Sequence, residues 1–270
     1  MVATYRCNEI KQESIDLIQD RLNDLEKRSY KGTISDFQIQ CREILKIAYN
    51  HYDDHAKQYY KETYKSVKHE LTDHVVESLY KSFICQLKNL VIQGDKKFAK
   101  SLKQSFDEDS VADTFTEIIE GLYDDIIKQF EDTAYQILME DSNWEGSIKQ
   151  YKNDLCNNLE KMIDQERTKQ LEKLFNLSVE QITDELEEEI TVPIKNLEDN
   201  FWETVKSRYI RIVSDNEEKV KTILNNGFKT LEEEYYGFID KLEDKIYKNS
   251  KRMIEKTTSD LNSHLNRKFN

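Results

Sequence analysis

One proline and six glycines in 270 residues leave little material for tight turns. An ordinary globular chain of this length carries roughly three times as much glycine and over ten times as much proline. Sandwiches, barrels and Rossmann-type sheets need frequent tight turns, so the shortage argues against all of them. Basic blocks are also missing. Net charge is −13, from 40 Lys and Arg against 53 Asp and Glu. A nucleic-acid surface needs a cationic stripe to displace counterions, so no nucleic-acid partner is expected, and an acidic chain is repelled by anionic lipid headgroups. No apolar run approaches the ~20 residues of a membrane span, and the N-terminus lacks the apolar centre of a signal peptide. Cys7, Cys41, Cys85 and Cys156 stand far apart with no CxxC, which reads as free thiols in the cytosol.

What the sequence does have is charge, at 34% of residues, together with 37% hydrophobic and 10% aromatic content. The apolar residues are arranged periodically, which argues against disorder. Ile15, Ile18, Leu22 and Leu25 step by three and four along a first helix, which Ser29–Gly32 ends. Ser35 with Gln38 forms a capping-box pattern, and no proline or glycine follows until Gly94. Cys41, Leu45, Ala48, Tyr52, Tyr59, Val67, Leu71, Val75 and Leu79 keep to one side, predicting a helix of about 85 Å if unbroken. Gly94 marks a kink before Phe98, Leu102 and Phe106. The loop DEDS (107–110) precedes a helix carrying Ile119, Leu122, Ile126, Phe130 and Ile137. DSNWEGS (141–147) is a break, with Ser142 or Asn143 as cap and Gly146 inside it.

Ile148, Tyr151, Leu155, Leu159 and Met162 open another long helix, expected to end near Ile190. Pro193 suits the first turn of the next helix, marked by Ile194, Leu197, Phe201, Val205, Tyr209 and Ile212. Ser214 with Glu217 is a second capping-box pattern, and Asn225–Gly227 a turn or kink. A last helix carries Leu231, Tyr235, Phe238, Leu242, Ile246, Leu261 and Leu265. The stripes are wide and aromatic, as bundle faces are, with no clean heptad seam. The expected fold is all-α and elongated: two or three helical bundles end to end, sharing long helices.

Few residues suggest chemistry. His51 and His55 have the spacing of an HExxH zinc helix, but Tyr52 follows the first histidine where glutamate belongs, and His69, His74 and His264 show no ligand spacing. A solvated helix turn is the better reading. DELEEE (184–189) sits within a helical pattern and lacks the glycine turn of a calcium loop, so it reads as a solvated acidic face. No GxSxG, P-loop or GxGxxG occurs, and no cysteine has a positioned histidine in a loop. Trp144 is expected buried at a helix joint and Trp202 in a bundle core. No catalytic, cofactor-binding or metal-binding residue is assigned. Bending is expected at the few breaks: Gly94, Asn143, Gly146, Pro193 and Gly227.

Several collinear stretches carry a resemblance: MVATYRCNEI (1–10), HYDDHAKQYYKETYKSVKHEL (51–71), LYKSFICQLKNL (79–90), DSNWEGSIKQYKNDLCNNLEKMIDQERTKQLEKL (141–174) and the closing NRKF (266–269). Together they resemble the helical middle domain of the root-hair-defective/SEY-type, atlastin-like dynamin-like GTPases. In 51–71 the matching residues are Tyr52, Asp53, Ala56 and Tyr59; His51 and His55 match nothing in particular.

The resemblance implies a complete protein with a GTPase domain using GTP and Mg, this middle domain, a membrane hairpin and a tail, fusing membranes at the cytosolic face of the endoplasmic reticulum. In that scheme 1–33 is the junction after the GTPase domain, 34–141 a membrane-distal bundle, and 142–270 a further bundle leading to the hairpin. This chain has neither P-loop nor hairpin, so it is expected to be a non-catalytic lever. Its partners would be its own GTPase domain and a second copy, with the membrane reached only through the hairpin. The alternative is an autonomous helical scaffold or coiled-coil adaptor.

Overall fold

The structure is a computed structural model describing residues 2–106, 114–140, 142–196 and 200–269. Among them the chain forms seven α-helices: α1 (Val2–Lys31), α2 (Phe37–Ala56), α3 (Lys61–Ser105), α4 (Phe115–Ile137), α5 (Glu145–Asn196), α6 (Phe201–Thr222) and α7 (Glu232–Phe269). A π-helical segment, Ile223–Gly227, follows α6 directly. No strand occurs among the described residues, as the scarcity of turn formers requires. Their contacts divide the chain into two compact units. One contains Met1–Ser101 and Leu122–Lys161, the other Leu102–Gly121 and Met162–Asn270. Sequence reading divides the chain in order, at 33/34 and 141/142; the units are instead interleaved, because α3, α4 and α5 each contribute residues to both.

In the first unit, cross-helix pairs establish the directions. Ser14 meets His51 while Arg28 meets Gln40, so α1 and α2 run antiparallel. Tyr52 stacks on Tyr64 and Phe37 lies against Phe83, so α2 and α3 are antiparallel too. Lys11 with Glu70 and the Ser29 carbonyl with Asn89 make α1 parallel to α3. Cys7, Ile18, Phe37, Cys41, Tyr52, Leu71, Leu79 and Phe83 fill this three-helix core. Farther along α3 a second trio forms. Tyr80 meets Ser147 and Asp95 meets Asn158, aligning α3 with α5. Lys152 pairs with Glu131, setting α4 against α5. α3 therefore serves two successive three-helix arrangements, the helix sharing expected from its length.

In the second unit, Glu189 with Arg211 and Glu185 with Asn216 make α5 and α6 antiparallel. Arg167 with Glu234, Phe175 with Phe238 and Thr183 with Asn249 make α5 and α7 parallel. Ile182, Leu186, Ile190, Leu224, Leu242 and Ile246 form the core. The end of α3 and the start of α4 close one corner, where Phe106, Phe115 and Phe228 stack in series.

Several expectations are corrected. The 85 Å helix is broken at residues 57–60, where Lys57 N–H still reaches the Asp53 carbonyl and Tyr59 N–H closes on Ala56. The Ser35–Gln38 box does not form: α2 starts after Asp36 without a side-chain cap, and Gln38 donates to the Leu138 carbonyl instead. Ser214 and Glu217 lie inside α6, so they cap nothing. Trp202 is 53% exposed, not a core residue. Leu231 precedes α7 and is exposed. The loop 107–110, Leu197 and the side chains of Phe201, His264 and Leu265 lie outside the described residues.

Candidate functional site at the helix joints

Gly94, expected at a kink, lies within the uninterrupted α3. A Cβ there would meet Leu155 Cδ1 at 3.0 Å, Leu155 Cδ2 at 3.3 Å and Ile126 Cγ2 at 3.4 Å. The glycine therefore serves the close approach of α4 and α5 to α3. Beside it Asp95 accepts a hydrogen bond from Asn158 at 2.9 Å, and its other carboxyl oxygen is buried without a partner. Burial raises the Asp95 pKa, against the opposing effect of the Asn158 hydrogen bond.

Asn143 and Gly146 flank the α4–α5 joint, where Trp144 is buried against Tyr80 and Phe83, with ring centroids 5.5 and 5.1 Å away. The expected burial of Trp144 at a joint is met. Gly146 lies in the first turn of α5, where an added Cβ finds open space. Ser142 donates to the Met139 carbonyl at 2.6 Å, closing a turn where a helix cap was expected.

Pro193 does not open a helix; it lies inside α5, which continues to Asn196. Proline has no N–H to give the carbonyl four residues back. That carbonyl belongs to Glu189, and Arg208 Nη1 of α6 donates to it at 2.8 Å. The Glu189 carboxylate is held as well, with Arg211 at 2.9 Å and Arg208 Nε at 3.7 Å. The acidic run 184–189 is thus partly a seam: Glu185 also accepts from Asn216 at 3.0 Å. Gln181 and Asn216 together hold the Glu185 carboxyl below the usual glutamate range. Sequence reading missed this role, although a proline inside a helical period is itself a signal that some side chain must serve the vacated carbonyl.

Among the described residues, the two with positive φ are not glycines. Asn200 (φ 57°) precedes α6, and Lys229 (φ 47°) follows the π segment. Gly227 ends that segment, buried and without positive φ. Thr116 Oγ1 donates to its carbonyl at 2.8 Å, Thr230 N–H and Oγ1 both reach the Leu224 carbonyl, and Lys229 pairs with Glu120 at 2.9 Å.

His51 and His55 are single-turn neighbours stacked 4.5 Å apart. Ser14 Oγ already donates to the Ile10 carbonyl, so His51 Nδ1–H donates to Ser14 Oγ at 2.9 Å, while His55 Nδ1–H donates to the His51 carbonyl at 2.8 Å. Their neighbours carry the hairpin instead. Tyr52 is buried and donates to the Tyr64 carbonyl, and Asp53 takes Lys68 and the Tyr64 hydroxyl at 2.7 and 2.6 Å. Among the described residues no group of three or more His, Cys, Asp and Glu side chains is placed to hold a metal, and no helix is long and apolar enough to cross a membrane.

What stands out in both units is helix-to-helix positioning. Residues 35–270 match the model of the Sey1 three-helix bundle domain family. Protein SEY1 homolog 2 of Paramecium tetraurelia is 23% identical over 265 residues, covering 94% of this chain and 33% of the relative. Protein SEY1 homolog 1 of the same organism is 23% identical over 257 residues, with the same coverage. Protein SEY1 homolog of Dictyostelium discoideum is 22% identical over 303 residues, covering all of this chain and 33% of its own length. The chain spans about a third of the curated relatives it matches. With three-helix arrangements in both units and a family match over all but the first 34 residues, the chain belongs to the Sey1 three-helix bundle family.

Proposed function

We propose that this chain is the helical lever of a SEY1-type dynamin-like GTPase that fuses endoplasmic reticulum membranes. It carries movement between a GTPase domain and a membrane anchor and performs no catalysis itself. The observation that supports this reading best is the family match over residues 35–270 in a chain spanning a third of its relatives, which leaves room in a longer protein for a nucleotide-binding domain and an anchor. The build of the helices suits the task. α3 and α5 run for 45 and 52 residues, and even Pro193 is accommodated within α5 by a partner for the carbonyl it leaves. In this reading GTP and Mg belong to the GTPase domain, the partners are that domain and a second copy, and the chain works at the cytosolic face of the endoplasmic reticulum.

The test has two arms. The isolated chain, titrated calorimetrically with a non-hydrolysable GTP analogue, is expected to show no binding. The longer protein lacking residues 35–270, reconstituted in vesicles, is expected to keep GTP hydrolysis and lose lipid mixing. Nucleotide binding by the isolated chain, or lipid mixing without these residues, would overturn the proposal.

A further inference from the structure

The turn between α2 and α3 is built from residues that suit a helix. Lys57, Gln58, Tyr59 and Tyr60 include neither glycine nor proline, and none of them has positive φ. Helical pairing persists on both sides. Lys57 has right-handed helical φ and ψ, and its N–H reaches the Asp53 carbonyl at 3.2 Å. Tyr64 N–H reaches the Tyr60 carbonyl at 2.9 Å, while Tyr59 N–H turns to the Ala56 carbonyl, three residues back, at 3.0 Å. Tyr52, Ala56, Tyr59, Thr63 and Val67 step by four, three, four and four, so one helical stripe runs through the turn in phase. Tyr52, Ala56 and Val67 are buried, whereas Tyr59 and Thr63, the two nearest the turn, are half-buried.

The contacts that close the α2–α3 hairpin are symmetric about this turn. Lys68 Nζ lies 5.3 Å from the Tyr49 ring centroid, Tyr52 stacks on Tyr64 at 5.6 Å, and Phe37 lies 6.4 Å from Phe83. Asp53 accepts from the Tyr64 hydroxyl at 2.6 Å. In each pair the two residues stand almost equally far along the chain from the turn. On the other side of α2, Ser14 with His51 and Arg28 with Gln40 hold α1 to α2, so those two helices travel together. Their joint rests on α3 through Gln86, which accepts from the Ile34 N–H at 2.7 Å and donates to the Gly32 carbonyl at 3.0 Å.

We propose that this chain exchanges its α1–α2 hairpin with a second copy: residues 57–60 straighten, α2 runs on into α3, and the α1–α2 pair of each copy packs on α3 of the other. A two-fold axis through the straightened turn lays the two continuous helices antiparallel. The symmetric pairs then re-form between copies, Asp53 of one chain with Tyr64 and Lys68 of the other, and Gln86 again receives an α1–α2 joint. Such an interface is isologous and closes on itself. Single chain and exchanged pair bury the same core, including Cys7, Ile18, Tyr52, Leu71 and Leu79. The gain of the exchange lies at the turn. A continuous helix gives the first-turn N–H groups of α3 acceptors that a helix start lacks, and it brings Tyr59 and Thr63 into the stripe that faces the partner helix. The exchange is independent of the lever role proposed above and can fail without affecting it.

The test mixes equal amounts of unlabelled and heavy-isotope-labelled 270-residue chain in urea and refolds them together over a range of protein concentrations. Size-exclusion chromatography separates single chains from dimers. A carbodiimide then joins Lys68 to Asp53, whose side-chain atoms lie 2.7 Å apart and are both partly exposed. The dimer fraction is expected to rise with protein concentration during refolding. About half of its Lys68–Asp53 cross-links should join light to heavy peptide, the share expected from random pairing in a symmetric dimer. Lys61→Pro supplies the second arm. Residue 61 is the first of α3, where proline is favoured, but within a continuous helix the same ring removes an N–H and clashes with the Lys57 carbonyl. The single chain should fold unchanged, and the dimer fraction should fall by about a hundredfold or more. Should Lys61→Pro fold poorly, the isotope pattern of the unaltered chain decides alone. A chain that stays single at every concentration, a dimer whose cross-links stay within one isotope, or an undiminished dimer in Lys61→Pro would overturn the exchange.

Discussion

If Arg208 exists to serve the carbonyl that Pro193 leaves open, its value must depend on that proline. An interior helical proline costs about 3 kcal/mol relative to alanine, offset by up to ~1 kcal/mol through its restriction of the unfolded chain. The Pro193 ring is also buried, so Pro193→Ala gives up packing worth about 1 kcal/mol. The single substitution is therefore expected to be only mildly stabilising. Arg208 is the informative arm. A charged donor to a backbone carbonyl contributes about 1.5–3 kcal/mol, and with the Arg208 side chain 34% exposed the lower end applies. Arg208→Ala should thus destabilise by about 1.5 kcal/mol. In the Pro193→Ala background the new N–H takes the Glu189 carbonyl, leaving Arg208 only its exposed ion pair with Glu189, worth below ~0.5 kcal/mol. The double-mutant cycle, measured by urea unfolding followed by circular dichroism at 222 nm, should give a coupling of about 1 kcal/mol. Equal losses from Arg208→Ala in both backgrounds would refute the argument.

Three further outcomes are expected. Gly94→Val brings branched carbons against Leu155 and Ile126, both buried, and should destabilise the first unit by about 1–3 kcal/mol, seen in urea unfolding through Trp144 fluorescence. Lys229→Gly relieves a left-handed lysine at the loss of an exposed ion pair, so Tm should rise by about 2–4 °C in calorimetry. Native thiol titration should spare Cys7 and Cys41, both fully buried, with burial pushing the Cys41 thiol up to about 12; Cys85 and Cys156, partly exposed, should label before unfolding.

Helix content and most core faces were legible because the apolar period of three and four is written continuously into the chain. Ile15, Ile18, Leu22 and Leu25 are buried as read, and so are Leu71, Val75 and Leu79. The break at 57–60 was not legible. Ala56 and Val67, both buried, are eleven residues apart, close to three helical turns, so the stripe keeps its phase across a turn containing neither glycine nor proline. The clue lay in Tyr52, Asp53, Tyr64 and Lys68, whose interactions only a hairpin brings together. Pro193 misled for the opposite reason: sequence shows the missing donor but not the Arg208 that replaces it. The left-handed turns at Asn200 and Lys229 were not legible, since Asn200 falls inside the helical period read from Pro193 to Ile212 and neither residue is glycine; the Asn200 carbonyl accepts from the Glu203 and Thr204 N–H groups, and the Thr230–Leu224 contacts lie beside Lys229. The π segment Ile223–Gly227 likewise replaced an expected kink at NNG with a widened turn that keeps the backbone paired. The stacking of His51 on His55, and the bonds of their Nδ1 atoms to Ser14 Oγ and the His51 carbonyl, were not legible in the sequence because they depend on how α1 packs on α2.

The interleaving of the two units has a genetic consequence. Residues 102–121 complete the second unit, yet they are encoded between the two segments of the first. No single cut yields a transcript for one unit that omits the other, and no contiguous exon could carry either one into a new gene. A lineage can lengthen, shorten or re-angle such a domain by small changes within its helices, but it cannot shuffle the units as modules. Inheritance must treat the whole as one indivisible piece.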